Sequence, residues 1–222
     1  MPGTALALPM LYKAPVPASV PITFHETIEA AVESAAIIIE SVPERLEVKH
    51  AVFAAIQSAC SPEAVIGSST SGFTPSDLQR GAARPGQIVF THPFNPVYLL
   101  PLVELVPGDA DSAITEKARL MLRAVGMHPL TVRREIDAHI ADRFLEAVWR
   151  EALWLVKDGV ATTAEIDDAI RYGFGLRMAQ MGLFETYRVA GGEAGMRHFM
   201  AQFGPALKWP WTKLMDVPAF TS

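Results

Sequence analysis

Residues 36–67 read AIIIESVPERLEVKHAVFAAIQSACSPEAVIG, and this stretch decides the fold class of the chain. The apolar runs at 36–41 and 64–67 each predict a buried strand, because both are short and contain β-branched residues. Between them, apolar residues recur at helical spacing over 44–59, which predicts an amphipathic helix. A strand, a helix and a second strand in this order are typical of a mostly parallel α/β sheet.

The same alternation extends outward from this stretch. Further strands are predicted at 87–91, 102–106 and 128–133, and further helices at 26–34, 75–80 and 112–125. Sheets of this kind bind ligands at the carboxyl ends of their strands. Polar residues that directly follow a strand are therefore the first candidates for a functional site.

From Asp137 onward the pattern is helical throughout. Asp137 is predicted to cap a long helix that ends near Lys157, with the apolar residues around Phe144 and Trp149 facing inward. Further helices are predicted at 162–172, 180–190 and 193–203. The sequence thus predicts an irregular lead-in at 1–21, an α/β domain at 22–135 and an all-helical domain at 136–222.

Composition excludes several classes of function. The 222 residues carry a formal net charge of −5 and no basic patch, so binding to nucleic acid is not expected. One cysteine, Cys60, permits no internal disulfide and favours a reducing, cytoplasmic setting. No apolar run has the length of a membrane span, and the apolar N-terminus lacks the basic segment of a signal peptide.

Three residues are spaced as a catalytic unit. Ser71 lies in SSTSG (68–72), His92 in HPFNP (92–96) and Glu104 in LVELV (102–106), and each string adjoins a short apolar run. A serine that donates, a histidine and an orienting carboxylate can together move a proton on and off an alcohol. A lone histidine among apolar residues is more often structural, but the other two residues in register favour a catalytic role.

Metal chemistry is not expected. The remaining histidines show no spacing typical of metal ligands, and we interpret them as non-catalytic: His25, His50, His128, His139 and His198.

The strings SSTSGF, HPFNP, LVELV and HIADR together resemble the 3-hydroxyacyl-CoA dehydrogenase family. The three candidate residues lie 21 and 12 residues apart, which matches the family, and the resemblance runs from about Ile22 to the end. It implies an NAD-dependent enzyme with a Rossmann-like domain followed by a helical domain that forms a homodimer. The expected fold is therefore α/β, a partial Rossmann-like parallel sheet followed by an all-helical C-terminal dimerisation domain.

The resemblance also implies roles for the three residues. His92 would be the general base that takes the proton of a 3-hydroxyl group while a hydride leaves for the nicotinamide. Glu104 would bond the other ring nitrogen of His92 and fix its tautomer. Ser71 would bond the substrate oxygen and lie near the nicotinamide ribose.

Three further residues match family positions that touch NAD: Glu44, Lys49 and Asn95. For two of them, Glu44 and Lys49, a simpler structural interpretation stays open. Glu44 could be a carboxylate that favours the N-terminus of its helix, and Lys49 could be a solvated helix residue.

Asp142, in HIADR, stands where the hydroxyacyl-CoA enzymes have an asparagine. An ionised carboxylate cannot donate a hydrogen bond, and it would repel an anionic substrate and attract a cationic one. The alternative is that Asp142 only interacts with the dipole of its helix.

This departure points to a narrower group, the carnitine 3-dehydrogenases, which residues 175–218 resemble closely. These enzymes oxidise L-carnitine, a quaternary ammonium compound that aromatic faces and a carboxylate recognise well. Candidate pocket residues are Phe184, Glu185, Tyr187, Trp209 and Trp211, with Arg177 or Arg188 for the substrate carboxylate. For the two tryptophans, core packing or a dimer contact is at least as good an interpretation.

The glycine loop that should hold the NAD pyrophosphate is missing from the sequence. No G-x-G-x-x-G follows a predicted strand, and Gly173-Phe-Gly175 fails because it follows a helix and lacks the last glycine. We therefore expect a chain truncated at its N-terminus with poor affinity for NAD. Two alternatives to carnitine oxidation stay open: a 3-hydroxyacyl-CoA or other 3-hydroxyacid dehydrogenase, and an inactive remnant that dimerises.

Overall fold

The computed structural model describes residues 21–208, and the chain divides between Asp142 and Arg143 into two compact units. The first unit contains a five-stranded sheet with helices on both faces. The strands are β1 (Ile37–Glu40), β2 (Val65–Ser68), β3 (Ile88–Pro93), β4 (Leu102–Val106) and β5 (His128–Thr131). The helices are α1 (Ile28–Val32), α2 (Leu46–Ala59), α3 (Pro75–Gln79) and α4 (Ser112–Ala124).

The sheet has the order β1-β2-β3-β4-β5 and is parallel except at one pair. Strands β3 and β4 run antiparallel, and in their register His92 lies directly opposite Glu104. Such opposed residues have side chains on the same face of a sheet and within reach of each other. The predicted α/β class is confirmed, and the one antiparallel pair is what brings the histidine and the carboxylate together.

Successive residues of the strands pack into two different cores. Ile66 and Phe90 lie in a cluster with residues of α1, α2 and α3, whereas the neighbouring Val65 and Val89 lie in a second cluster with residues of α4. This is the alternation expected of a sheet that is buried on both faces. His92 follows Phe90 by two residues, so its side chain lies on the α2 and α3 face.

The second unit is helical. Its helices are α5 (Ala141–Lys157), which begins at the end of the first unit, α6 (Thr163–Ala169), α7 (Gly175–Ala190) and α8 (Gly195–Phe203). A π-helical turn, Ile170–Phe174, joins α6 to α7. A capping box forms at the start of α6, where the side chains of Thr162 and Glu165 each bond the other's backbone N–H.

Two predictions about α5 are wrong. The helix begins at Ala141 rather than beside Asp137, because its first N–H groups are bonded by a distant carboxylate described below. Its apolar residues do not face inward either, since Phe144 and Trp149 are 57% and 59% exposed within the chain. No residue of α5 is fully buried within the described residues.

Within residues 21–208, none of the helices is both long and apolar enough to span a bilayer.

Candidate active site

Ser71, His92 and Glu104 come together, but the hydrogen bond expected between Glu104 and Nδ1 of His92 is not formed, because the two atoms are 3.7 Å apart. Ser71 lies in the turn after β2, and its exposed hydroxyl is 3.1 Å from Nε2 of His92. His92 itself is buried, and its Nδ1 faces Oε2 of Glu104 at 3.7 Å. A carboxylate on the Nδ1 side favours the tautomer with the proton on Nδ1. Nε2 is then a free acceptor, so Ser71 donates to it and the same lone pair can take a proton.

Glu104 has a second role that the sequence did not reveal. Its other oxygen, Oε1, accepts hydrogen bonds from the backbone N–H groups of Ile140 at 2.8 Å and Ala141 at 3.1 Å. These are N–H groups at the start of α5, which have no partner within the helix. A negative charge is also favourable at this end of a helix dipole. One buried carboxylate therefore orients the candidate base and fixes the start of α5.

Asp142 lies in the first turn of α5, with Oδ2 at 3.8 Å from Nε2 of His92. Its side chain is 25% exposed, so this carboxylate can be reached from solvent, whereas that of Glu104 cannot. His92 is thus flanked by one carboxylate at each ring nitrogen. Both the dipole role and the ligand role weighed from the sequence are compatible with this position.

His139 is a site residue that the sequence analysis missed. Its ring is 3% exposed, lies 4.1 Å from the ring of Phe90 and 5.6 Å from that of His92, centroid to centroid. Both ring nitrogens are buried without a hydrogen-bond partner among the described residues. Positive φ angles at Ala138 and His139, 57° and 49°, form the turn that places the ring there. No local motif announces such a turn, since L-residues rarely adopt it.

Burial lowers the pKa of His139 from its ordinary 6.5, and the nearby imidazole of His92 acts in the same direction, while Glu104 and Asp142 act in the opposite direction. The net direction is downward, so this imidazole is neutral near pH 7.

We expect the free energy of unfolding of His139→Phe to fall less steeply than that of the parent chain as the pH drops from 7 to 5. The unfolded chain takes up a proton on His139 below about pH 6.5, which the folded chain resists, so the free energy of unfolding falls as pH drops through that range. One such group contributes at most about 1.4 kcal/mol per pH unit. Phenylalanine keeps a ring on Phe90 but does not titrate. Urea denaturation at pH 7, 6 and 5 measures the slope.

The control for this variant is His25→Gln, which changes an exposed histidine. It should keep the slope of the parent chain. Equal slopes for His139→Phe and the parent would contradict the assignment of His139 as a buried neutral imidazole.

The carboxyl ends of β1 and β2 carry a second polar cluster. Oε1 of Glu44 accepts hydrogen bonds from the N–H of Gly72 at 2.8 Å and from the hydroxyl of Thr70, and Oε2 lies 3.2 Å from Nζ of Lys49. Partial burial tends to raise the pKa of Glu44, but these hydrogen bonds together outweigh it and leave the pKa below its ordinary value. Glu44 is therefore ionised at neutral pH and remains 45% exposed.

Lys49 is not the solvated helix residue that one interpretation predicted. Its side chain is 1% exposed, and it pairs at 2.9 Å with Glu40, a fully buried carboxylate at the end of β1. Sequence analysis missed Glu40, because a glutamate that ends an apolar run looks like an ordinary exposed strand terminus. Asn95, the third residue expected near the cofactor, is exposed in the turn after β3.

The residues predicted for a cation pocket lie in the second unit or beyond the described residues. Phe184 is exposed on α7, and Tyr187 stacks on Phe199 at 4.8 Å. Glu185 and Arg188 form an exposed ion pair at 2.6 Å, so these two charges offset each other. Trp209 and Trp211 lie outside the described residues, and Arg177 is exposed on α7. The pocket roles of these residues stay predictions.

Among residues 21–208, no three His, Cys, Asp or Glu side chains are grouped so that they could hold a metal ion.

Comparison with protein-family models agrees with this geometry. Residues 14–136 match the model described as the NAD binding domain of 3-hydroxyacyl-CoA dehydrogenase. Residues 139–217 match the model of the C-terminal domain of the same enzyme.

Curated relatives from several bacteria are similar to this chain in sequence. A protein of Ruegeria pomeroyi named L-carnitine dehydrogenase/betainyl-CoA thioesterase is 68% identical over 97% of this chain and 44% of its own length. The L-carnitine dehydrogenase of Mesorhizobium japonicum is 58% identical over 94% of this chain and 59% of its own length. The chain thus spans about half the length of these curated relatives.

Solved structures share the fold. An NAD+-dependent 5-formyl-3-hydroxy-2-methylpyridine 4-carboxylic acid 5-dehydrogenase superposes with a TM-score of 0.77 at 25% identity, over 90% of this chain and 64% of that one. A 3-hydroxyacyl-CoA dehydrogenase of Archaeoglobus fulgidus superposes with a TM-score of 0.63 at 22% identity, over 87% and 66% of the two chains. Two consecutive family matches that together cover most of the sequence, on a sheet and helix order of this kind, show that the chain belongs to the 3-hydroxyacyl-CoA dehydrogenase family.

Proposed function

We propose that this chain carries the proton-transfer site of an NAD-dependent dehydrogenase that oxidises the 3-hydroxyl group of L-carnitine to 3-dehydrocarnitine. The observation that carries the proposal is the arrangement around His92, with the hydroxyl of Ser71 at Nε2 and the carboxylate of Glu104 facing Nδ1. This arrangement suits the removal of a proton from an alcohol. High identity to proteins named L-carnitine dehydrogenase supports the choice of substrate.

In the proposed reaction, the substrate hydroxyl approaches Nε2 of His92 and the exposed Ser71. His92 takes the hydroxyl proton at Nε2 as the C3–H bond breaks, and Ser71 donates a hydrogen bond to the substrate oxygen as it becomes a carbonyl. Glu104 stabilises the imidazolium through Nδ1. When bound, NAD supplies the acceptor for the hydride that leaves C3.

The residues at the carboxyl ends of β1 to β3 fit the nicotinamide and ribose half of NAD. Glu44 offers an exposed, ionised carboxylate that can accept from ribose hydroxyls, and Ser71 and Asn95 offer a hydroxyl and an amide. All three follow strands whose carboxyl ends meet at one edge of the sheet, which is where such sheets bind nucleotides. For the pyrophosphate, the sequence offers no glycine loop of the expected form.

Calorimetry and an activity assay separate the candidate functions. We expect weak but measurable heat on addition of NAD, because the sequence has no glycine loop of the expected form, and reduction of NAD with L-carnitine but little oxidation of NADH with acetoacetyl-CoA. Preference for acetoacetyl-CoA would favour a hydroxyacyl-CoA dehydrogenase instead. The absence of both heat and turnover would contradict an enzymatic role for this chain and favour a remnant that only dimerises.

Asp142 is the residue that we propose selects a cationic substrate. It borders the ligand side of His92, and a carboxylate there attracts the ammonium of carnitine but repels an acyl-CoA. We expect Asp142→Asn to lower kcat/KM for L-carnitine about tenfold to a hundredfold and to raise it for acetoacetyl-CoA. Asp137→Asn is the matched control, because Asp137 is exposed and lies just before the same helix. A parallel loss for both substrates would show a structural role instead.

We infer that the chain forms a homodimer through its helical unit. Apolar side chains are exposed on α5, and a groove of about 360 Å³ between α5 and α6 is lined by Val148, Leu155, Ile166 and Phe174. A group of exposed apolar side chains beside an apolar groove is typical of a protein interface. The family resemblance, which implies a dimer formed by the same domain, makes a second copy of this chain the expected partner.

We expect Phe144→Asp to convert the dimer to a monomer in sedimentation equilibrium. Burying a new charge at an apolar interface costs several kcal/mol, which exceeds the loss that most interfaces tolerate. The control, Phe24→Asp, makes the same change at a 92% exposed phenylalanine of the first unit and should leave the mass unchanged. A parent chain that sediments as a monomer would contradict the inference directly.

A further inference from the structure

A buried ammonium group joins two carboxylates at the carboxyl end of β1, those of Glu40 and Glu44. Nζ of Lys49 lies 2.9 Å from Glu40, 3.2 Å from Glu44 and 3.3 Å from the carbonyl oxygen of Val42. An ammonium has three N–H donors and no acceptor. The acceptor oxygens of Glu40, Glu44 and Val42 are enough to engage all three donors, and the side chain is only 1% exposed, so Lys49 is poorly placed to hold a cofactor.

Glu40 is the buried end of this cluster. Its carboxylate accepts a hydrogen bond from Oγ of Ser68 at 2.5 Å and one from the N–H of Val42 at 2.7 Å, in addition to the contact with Lys49. Ser68 is the last residue of β2, so Glu40 links the ends of two neighbouring strands. Because Glu40 has no exposed surface on its side chain, it cannot touch a ligand itself.

The exposed end of the cluster leads to the candidate base. Lys49 holds Oε2 of Glu44, and Oε1 of Glu44 bonds the hydroxyl of Thr70 and the N–H of Gly72, the two neighbours of Ser71. Ser71 in turn contacts His92 at 3.1 Å. An unbroken series of polar contacts therefore runs from Glu40 to the turn that carries Ser71.

A contribution to folding stability does not by itself account for the buried ion pair of Glu40 and Lys49. Replacing a buried ion pair by residues of similar volume without charge is often neutral for stability, whereas removing one partner is costly. Unlike apolar packing, a pair of fixed charges can hold a neighbouring polar group in one orientation. Here the Glu40–Lys49 pair holds the carboxylate of Glu44 toward the turn that contains Ser71.

We propose that Glu40 is a positioning residue that, through Lys49 and Glu44, fixes the turn of Ser71 beside His92, and that Lys49 acts within this series rather than as a ligand of the cofactor. The proposal rests on the proposed function for the importance of Ser71. The contacts themselves exist in the chain without substrate or NAD. They can therefore be tested without turnover, and failure of one proposal is distinguishable from failure of the other.

The test compares the double variant Glu40→Gln with Lys49→Met against the parent chain. Both changes keep side-chain volume. Glutamine keeps an acceptor for the N–H of Val42, and its NH2 group can donate to the hydroxyl of Ser68, which can accept as well as donate. We expect the urea midpoint to be retained, while exchange of the Gly72 amide proton becomes at least tenfold faster and the 15N chemical shift of His92 Nε2 moves as the hydrogen bond with Ser71 is lost. The matched control is Glu116→Gln with Arg119→Met, which removes an ion pair of α4 outside the site.

Two outcomes would overturn the proposal. Unchanged Gly72 exchange and an unchanged His92 shift in a folded double variant would show that the pair does not position the turn. A lowered urea midpoint with faster exchange throughout the sheet would show a structural role only. The single variant Glu40→Gln adds a test of Lys49, because it removes one acceptor and keeps the ammonium. Tighter binding of NAD in calorimetry would mean that the freed ammonium is a cofactor ligand, which contradicts the proposal.

Discussion

Substitution of His92 by glutamine is expected to lower the rate of L-carnitine oxidation by about two to four orders of magnitude, the usual contribution of a general base. Glutamine can still bond Ser71 but cannot take the substrate proton at neutral pH. Steady-state kinetics with saturating NAD measure the loss, and kcat should fall far more than KM rises because the proton moves only in the chemical step.

The matched control is His128→Gln, which alters an exposed histidine at the start of β5. It should leave kcat within a factor of two, and both variants should give the circular dichroism spectrum of the parent chain. A His92→Gln enzyme with a rate within tenfold of the parent would remove His92 from the mechanism.

Substitution of Glu104 is expected to give two separable losses, because its two oxygens have different partners. Glu104→Ala leaves the N–H groups of Ile140 and Ala141 without their acceptor in a part-buried place and should lower the free energy of unfolding by about 2–4 kcal/mol. Glu104→Gln keeps a carbonyl oxygen for these groups and should lose about 1 kcal/mol. Both should lower kcat by about a hundredfold or more, since neither supplies a charge to Nδ1.

Urea denaturation and steady-state kinetics on the same two variants separate the losses. The signature of the double role is a large difference in stability between alanine and glutamine with a similar loss of rate. Equal stability of the two variants would show that the contact with the start of α5 contributes nothing. Normal turnover in Glu104→Gln would show that His92 needs no carboxylate at Nδ1.

The sheet could be predicted from the sequence because its signal is local. The five strands lie within a few residues of the predicted ranges, since each is a short apolar run between polar turns. The meeting of Ser71 with His92 was also predictable, but only from their positions after strands and the resemblance of the strings around them. The apposition of His92 and Glu104 follows from the register of β3 and β4.

The features that sequence analysis missed all depend on residues far apart in the chain. The start of α5 is fixed by Glu104, which lies 36 residues before Ile140, so the nearby Asp137 was the wrong cap. Lys49 is buried because Glu40 neutralises it from a different element. The apolar side of α5 was predicted to face inward on periodicity alone, which cannot tell packing within a chain from packing against a partner.

In the proposed reaction, the two carboxylates that flank His92 affect the order of proton transfer and product release. Before the reaction, Glu104 and Asp142 face a neutral ring, whereas after proton transfer they face an imidazolium that cancels one of their charges. A ligand that keeps a permanent positive charge is therefore held more strongly as alcohol than as ketone. The proton that His92 takes from the substrate therefore weakens binding of the product. We expect the product to leave before His92 returns to its neutral form.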